Sequence, residues 1–164
     1  MASVTIVDDC FAPRKFKIVN YEGPDPLKFY NKTGTLLKKI FEISTSKTGE
    51  PRFMWDWTGD PIQLFSHRVA RKDFSRFTNM WFAIRVVAFK YKTKNEGNFK
   101  MEVEAMLEHK FDKTNWLVKA LFWIYWYSFY QKSRQMHLAL CQDYADRFIA
   151  KIKEMYEMKS TKDE

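Results

Sequence analysis

The stretch "FKMEVEAMLEHKFD" (Phe99 to Asp112) decides the fold class. Phe99, Met101, Val103, Ala105 and Leu107 fall on one parity, and Lys100, Glu102, Glu104, Glu108 and Lys110 on the other. A period of two with one wet face predicts a strand in an antiparallel sheet covered on one side only. Just upstream, "NMWFAIRVVAFKYKT" (Asn79 to Thr93) is apolar on both parities in its middle, which predicts a strand lying centrally or beneath a covering helix.

Further back, "RFMWDWTGDP" puts Phe53, Trp55 and Trp57 on one face. "TGDP" (Thr58 to Pro61) is a turn signal and "IQLFSHRVARK" resumes as a strand, which makes a hairpin. "KFKIVNYEG" (Lys15 to Gly23) predicts another strand, with Phe16 and Ile18 on one face and Lys17 on the other. Asp25 as N-cap and Pro26 at the first helical position predict a helix from Pro26 to about Ile43. Its apolar stripe would be Leu27, Tyr30, Leu37, Ile40 and Phe41, and Gly34 weakens its middle.

From Lys113 to Met158 there is neither Gly nor Pro. Leu138, Cys141, Ala145, Phe148, Ile152 and Met155 recur at steps of three and four, the pattern of an amphipathic helix on a core. The segment is one long helix, or two joined near "YQKSRQ". The expectation is a single α+β domain over residues 1–164. It comprises an N-terminal arm (1–14), an antiparallel sheet of about five strands with one inserted helix (15–112), a long C-terminal helical segment (113–158) and a polar tail (159–164). In element order this resembles the helix-grip domains of the START-like kind, in which an antiparallel sheet wraps a long C-terminal helix. The resemblance implies a cavity between sheet and helix for an apolar ligand.

"WLVKALFWIYWYSFYQK" (Trp116 to Lys132) does not fit a two-layer domain so easily. Lys119 and Ser128 stand nine positions apart, roughly 180° around a helix, so no continuous wet face exists. Ala120 to Tyr130 covers only about 16 Å, half of a bilayer core, which argues against spanning. Such a helix is buried on several sides or needs a further layer. Trp116, Phe122, Trp123, Trp126, Tyr127 and Tyr130 are therefore the candidate surface for a second copy, another protein or an apolar ligand. An anionic membrane is an alternative, since tryptophan and tyrosine suit headgroup depth. The aromatic share of 18% points the same way, because rings dominate interface energetics.

The net charge of +8 favours polyanions. Arg68, Arg71, Lys72 and Arg76, with Phe74 and Phe77 interleaved, form the candidate anion-binding patch. Basic residues are spread along the whole chain, however, and no nucleic-acid motif is recognisable, so nucleic acid is the weaker reading. Catalysis finds no support: His67, His109 and His137 stand alone, no GxSxG, GxGxxG or CxxC occurs, and no metal or cofactor is implied. His109 falls on the apolar parity of its strand, as a hydrogen-bonded, half-buried ring would. Asp60 is read as a turn former and Asp56 as the polar side of an edge hairpin. Cys10 and Cys141 are far apart, which suggests two separate thiols in a reducing setting. "MASVTIVDDCFAPRK" carries two aspartates where an export signal needs an apolar run, and a cytoplasmic protein is expected.

Overall fold

In a computed structural model describing residues 2–113 and 116–158, six strands form one antiparallel sheet. The strands are β1 (Ala2–Asp9), β2 (Lys17–Pro24), β3 (Thr48–Asp56), β4 (Ile62–Asp73), β5 (Thr78–Lys90) and β6 (Glu96–Lys113). Helix α1 (Lys28–Phe41) follows β2. After β6 come α2 (Trp116–Tyr125), a π-helical turn (Trp126–Tyr130) and α3 (Gln131–Met155). The α+β class, the inserted helix and the long C-terminal helix are as the sequence predicts.

The sheet order is β1-β6-β5-β4-β3, and β2 also pairs with β6. Strand β6 serves two neighbours on one edge, β1 along Met106 to Lys113 and β2 along Glu96 to Val103. Residues expected to form an N-terminal arm are thus a sixth strand. Strand β5 lies between β4 and β6, and its inner parity meets the helices, while Trp81 and Val87 on its outer parity remain exposed. At Gly97 any Cβ would collide with the Phe89 carbonyl, so only glycine lets the β5–β6 hairpin close.

Both α1 and α3 cover the same face of the sheet. Met101, Val103, Ala105 and Leu107 of β6 and Met80, Phe82, Ile84 and Val86 of β5 meet Leu37 and Phe41 of α1 and Cys141, Ala145, Phe148 and Ile152 of α3. Rings cross the layers directly. Phe82 lies 4.7 Å from Phe41 and 5.3 Å from Phe148, while Phe99 lies 5.1 Å from Phe29 and 5.0 Å from Tyr156. Such contact fills the space where a helix-grip ligand would sit. An open groove of about 620 Å³ lies instead where β2, β5 and β6 meet, and no helix residue lines it.

Several local expectations change. The buried parity of β2 is that of Val19, and Ile18 is 51% exposed. Lys17 sits on the inward parity because it pairs with Asp146 and stacks on Phe11. Helix α1 starts two residues late: Asp25 adopts φ 50°, and Leu27 caps without a side-chain bond. Its first turn is satisfied from afar, because the Phe29 N–H donates to the Tyr156 hydroxyl (2.9 Å), which itself donates to the Pro26 carbonyl. The inward stripe is Phe29, Thr33, Leu37 and Phe41, and Gly34 does not interrupt the helix. Glu104 is not solvated, since Arg85 (2.9 Å) and Lys15 (3.7 Å) close over it.

The largest correction concerns the cysteines. Cys10 and Cys141 are joined in a disulfide, with Cα atoms 6.1 Å apart, which binds the end of β1 to the middle of α3. The reading of two separate thiols fails because the topology brings together residues 131 positions apart.

Candidate interaction surface

Helix α2 touches the sheet at its far end, where β6 runs past β5. Phe122, Trp126 and Tyr130, four residues apart, form a stripe that packs on Phe111, with Ile6 at its margin. Ring centroids lie 4.5 Å apart for Phe111 and Phe122, and 5.7 Å for Phe111 and Trp126. Phe77 also stacks on Phe111, at 5.3 Å. A small second core results, separate from the main one.

The π turn lets this stripe continue. It adds a residue to the turn between Trp126 and Tyr130, whose rings stack at 5.0 Å. Tyr130 then enters a buried polar cluster. Its hydroxyl lies 3.2 Å from His109 Nδ1 and in hydrogen-bond contact with Thr78 Oγ1, itself 3.0 Å from the same nitrogen. On the opposite side of the ring, His109 Nε2 lies 3.2 Å from Asp8 Oδ2. Arg134 of α3 clasps Asp8 with both Nε (2.6 Å) and Nη2 (2.5 Å), and its guanidinium stacks over Trp126.

Burial holds the His109 pKa below its ordinary value, against the pull of Asp8. The ring is therefore neutral, and the partners assign its tautomer: Nε2–H donates to Asp8 and Nδ1 accepts from a hydroxyl. For Asp8, burial raises the pKa, but the Arg134 bonds and charge, with His109, outweigh it and leave a net depression. Burial keeps the Tyr130 phenol protonated beyond its usual range. Carboxylate, imidazole and hydroxyl in sequence have the form of a proton relay. Thr78 and His109 are nonetheless fully buried, and Tyr130 closes the end of the chain of hydrogen bonds. The cluster fastens β1, β5, β6 and the helix together and presents no nucleophile to a substrate.

Among the described side chains, from Ala120 to Phe129, the rest of the circumference is open. Leu121, Trp123, Ile124, Tyr125, Tyr127 and Phe129 are exposed, Tyr127 and Phe129 by 72% and 70%. Trp123 stacks on Tyr127 (5.9 Å) and Tyr125 on Phe129 (6.2 Å), so the rings stand in two prearranged pairs. Met136 and Leu140 extend the apolar path along α3. Of the residues expected in this surface, Trp123 and Tyr127 belong to it. Phe122, Trp126 and Tyr130 face inward instead, because a four-residue spacing aligns them on the β6 side. The Trp116 side chain lies outside the described residues. Leu121, Ile124, Tyr125 and Phe129 were missed, although all stand in the same apolar run.

The candidate anion patch is divided by strand alternation. Arg68 and Lys72 point to the α1 side: Arg68 binds Glu50 (3.1 Å) and the Tyr30 carbonyl, and Lys72 binds the Phe41 carbonyl at the end of α1 (2.7 Å). Arg71 lies on the opposite face beside Asp73 and Trp81, and Arg76 is exposed in the β4–β5 turn over Phe77. Phe74 is packed against His137 and Tyr144. Asp56 accepts from the Thr58 amide and hydroxyl, a local turn bond, while Asp60 accepts from the Lys92 amide just beyond the end of β5. Among the described residues no group of three or more His, Cys, Asp or Glu is placed to hold a metal ion, and no helix is long and apolar enough to cross a membrane. No protein-family model matches the chain, and no curated protein shows significant similarity to it.

Proposed function

We propose that this protein is an assembly module without catalysis of its own, which docks a second copy of itself, or another protein, through the open aromatic side of α2 and the π turn. One observation carries the reading. Leu121, Ile124, Tyr125, Tyr127 and Phe129 are exposed on a helix whose opposite stripe is already anchored. Isolated exposed hydrophobic residues need no explanation, but a contiguous uncharged patch of rings on a fixed element marks an interaction surface. From Ala120 to Tyr130 no residue is charged. Tyrosine and tryptophan held in stacked pairs lose little conformational entropy on binding, which favours a protein partner over a fluid one.

Other roles have less to stand on. The filled interlayer space leaves an apolar ligand without the cavity that the helix-grip resemblance implies. Arg68 and Lys72 are engaged with α1 and Glu50, which weakens the case for nucleic acid. The cytoplasmic expectation rested on separate thiols and on the N-terminal sequence; the Cys10–Cys141 bond removes the first ground and favours an oxidising compartment.

Light scattering on the eluting protein tests the reading. The wild-type chain is expected to exceed the mass of one chain, and Ile124→Lys with Tyr127→Lys to lower that mass while circular dichroism is unchanged. An unaltered mass sinks the proposal. Co-sedimentation of wild type, but not the variant, with anionic vesicles at low salt would assign the face to lipid instead.

A further inference from the structure

At the opposite side of the sheet from β1, β3 is an edge strand, and among the described residues no strand pairs with its free side. Natural edges are usually short, covered or charged, because their open N–H and C=O groups invite another strand. This one carries "RFMWDW" (Arg52 to Trp57), in which Phe53, Met54 and Trp57 are exposed, the last two by 57% and 58%. Its charges are placed symmetrically. Arg52 and Asp56 flank Met54 at equal distance and share its face, the outer one, since they pair with His67, Gln63 and Phe65 of β4.

We infer that β3 pairs with β3 of a second copy, antiparallel about a two-fold axis at Met54, to make one continuous twelve-stranded sheet. In that register Arg52 stands opposite Asp56 of the other chain, twice, and Met54 meets Met54 between the two ion pairs. On the face toward α1, Phe53 stands opposite Trp55, twice, and Trp57 reaches the other chain's Pro51. Opposite charges and aromatic pairs directly across an antiparallel ladder are the favourable combinations. Pro51 has no N–H to give and limits the added ladder to Arg52 through Asp56. Moving the axis to residue 52 or 56 would set Arg52 against Arg52 or Asp56 against Asp56. The charges that protect the lone edge from arbitrary strands thus select one register with its own kind.

The proposal is independent of the α2 face and is best tested in a chain carrying Ile124→Lys and Tyr127→Lys, so that only β3 pairing is read. That chain is expected to be dimeric. Arg52→Glu alone, or Asp56→Lys alone, replaces both attractive contacts by repulsive ones and should weaken dimerisation by roughly tenfold or more. An equimolar mixture of the two variants restores both contacts in the heterodimer and should regain the dimer. A monomeric parent chain, unaffected single variants or a mixture that stays monomeric would each overturn the inference. Asp56 also holds the Thr58 turn, so disulfide trapping provides a second measurement that keeps both charges. Met54→Cys should yield a cross-linked dimer on mild oxidation. Phe53→Cys alone should not, whereas Phe53→Cys mixed with Trp55→Cys should. Any other cross-linking pattern rejects the register.

Discussion

His109 and Asp8 are each held in the charge state that acid would remove. Burial depresses the His109 pKa from its ordinary 6.5, and burial likewise depresses that of His137. The Arg134 clasp depresses that of Asp8 from 3.8 in spite of burial. All three shifts have the same sign. As pH falls through 6.5 the unfolded chain takes up protons on the histidines before the folded one does. Near 3.8 the same happens at Asp8. The unfolded state then binds more protons, so stability present at neutral pH is lost progressively with acid. Tyr130 and Tyr156 act at the other end: burial raises both pKa values, so their stabilisation is intact below 10 and lost as pH rises beyond it. The denaturation midpoint should therefore form a plateau bounded near pH 6.5 and pH 10. Replacing His109 by Gln should lower stability at neutral pH and reduce the slope on the acid side. A slope identical to wild type between about pH 7.5 and 5.5 would refute the role given to His109.

Helix α2 behaves as a separable element because its core is separate. Phe122 and Trp126 bury against Phe111, while the main core begins again with His137 and Cys141 on α3. Truncating Phe122 to Ala should cost about 3 kcal/mol of local packing. The loss should appear as faster amide exchange confined to α2 and the π turn, with α3 and the sheet still protected. Exchange that accelerates uniformly across the chain would mean that the two cores fold as one. Here the sequence was only half informative. The run looked apolar all round and so implied burial on several sides, yet among the described side chains only the stripe spaced by four is covered. Nothing in the run itself marks which side β6 takes. Strand β6 was legible because its wet face alternates over many residues. Strand β2 is shorter and carries Ile18 and Val19 side by side, so either parity could be the inner one. The polar cluster was legible only in part. His109 stood on an apolar parity, but its partners Asp8, Thr78 and Tyr130 lie 101, 31 and 21 positions away, and only the sheet order brings them together.

Across the whole molecule, the Cys10–Cys141 bond joins the two ends of the architecture. Strand β1 is the first element and α3 the last, and between the cysteines lie every other strand and α1. Closing a loop of this length restricts the unfolded chain strongly, and on the chain-entropy view contributes on the order of 4–5 kcal/mol. The folded state needs little from the bond itself, because Phe148 and Ile152 hold α3 against Phe82 and the sheet, and Gln142 donates to the Cys10 carbonyl. Both sulfurs belong to residues that are essentially inaccessible, so a reductant should act only after the helix opens. Three outcomes follow from this arrangement. The intact mass of oxidised protein should be lower by two hydrogens than that of reduced protein. Guanidinium denaturation with reductant present should have a much lower midpoint than without it. Cys10→Ser with Cys141→Ser should match the reduced wild type and be indifferent to reductant. Coincident curves for oxidised and reduced protein, or two reactive thiols after oxidative preparation, would show that packing alone carries α3. The expectation of a reducing compartment would then stand again.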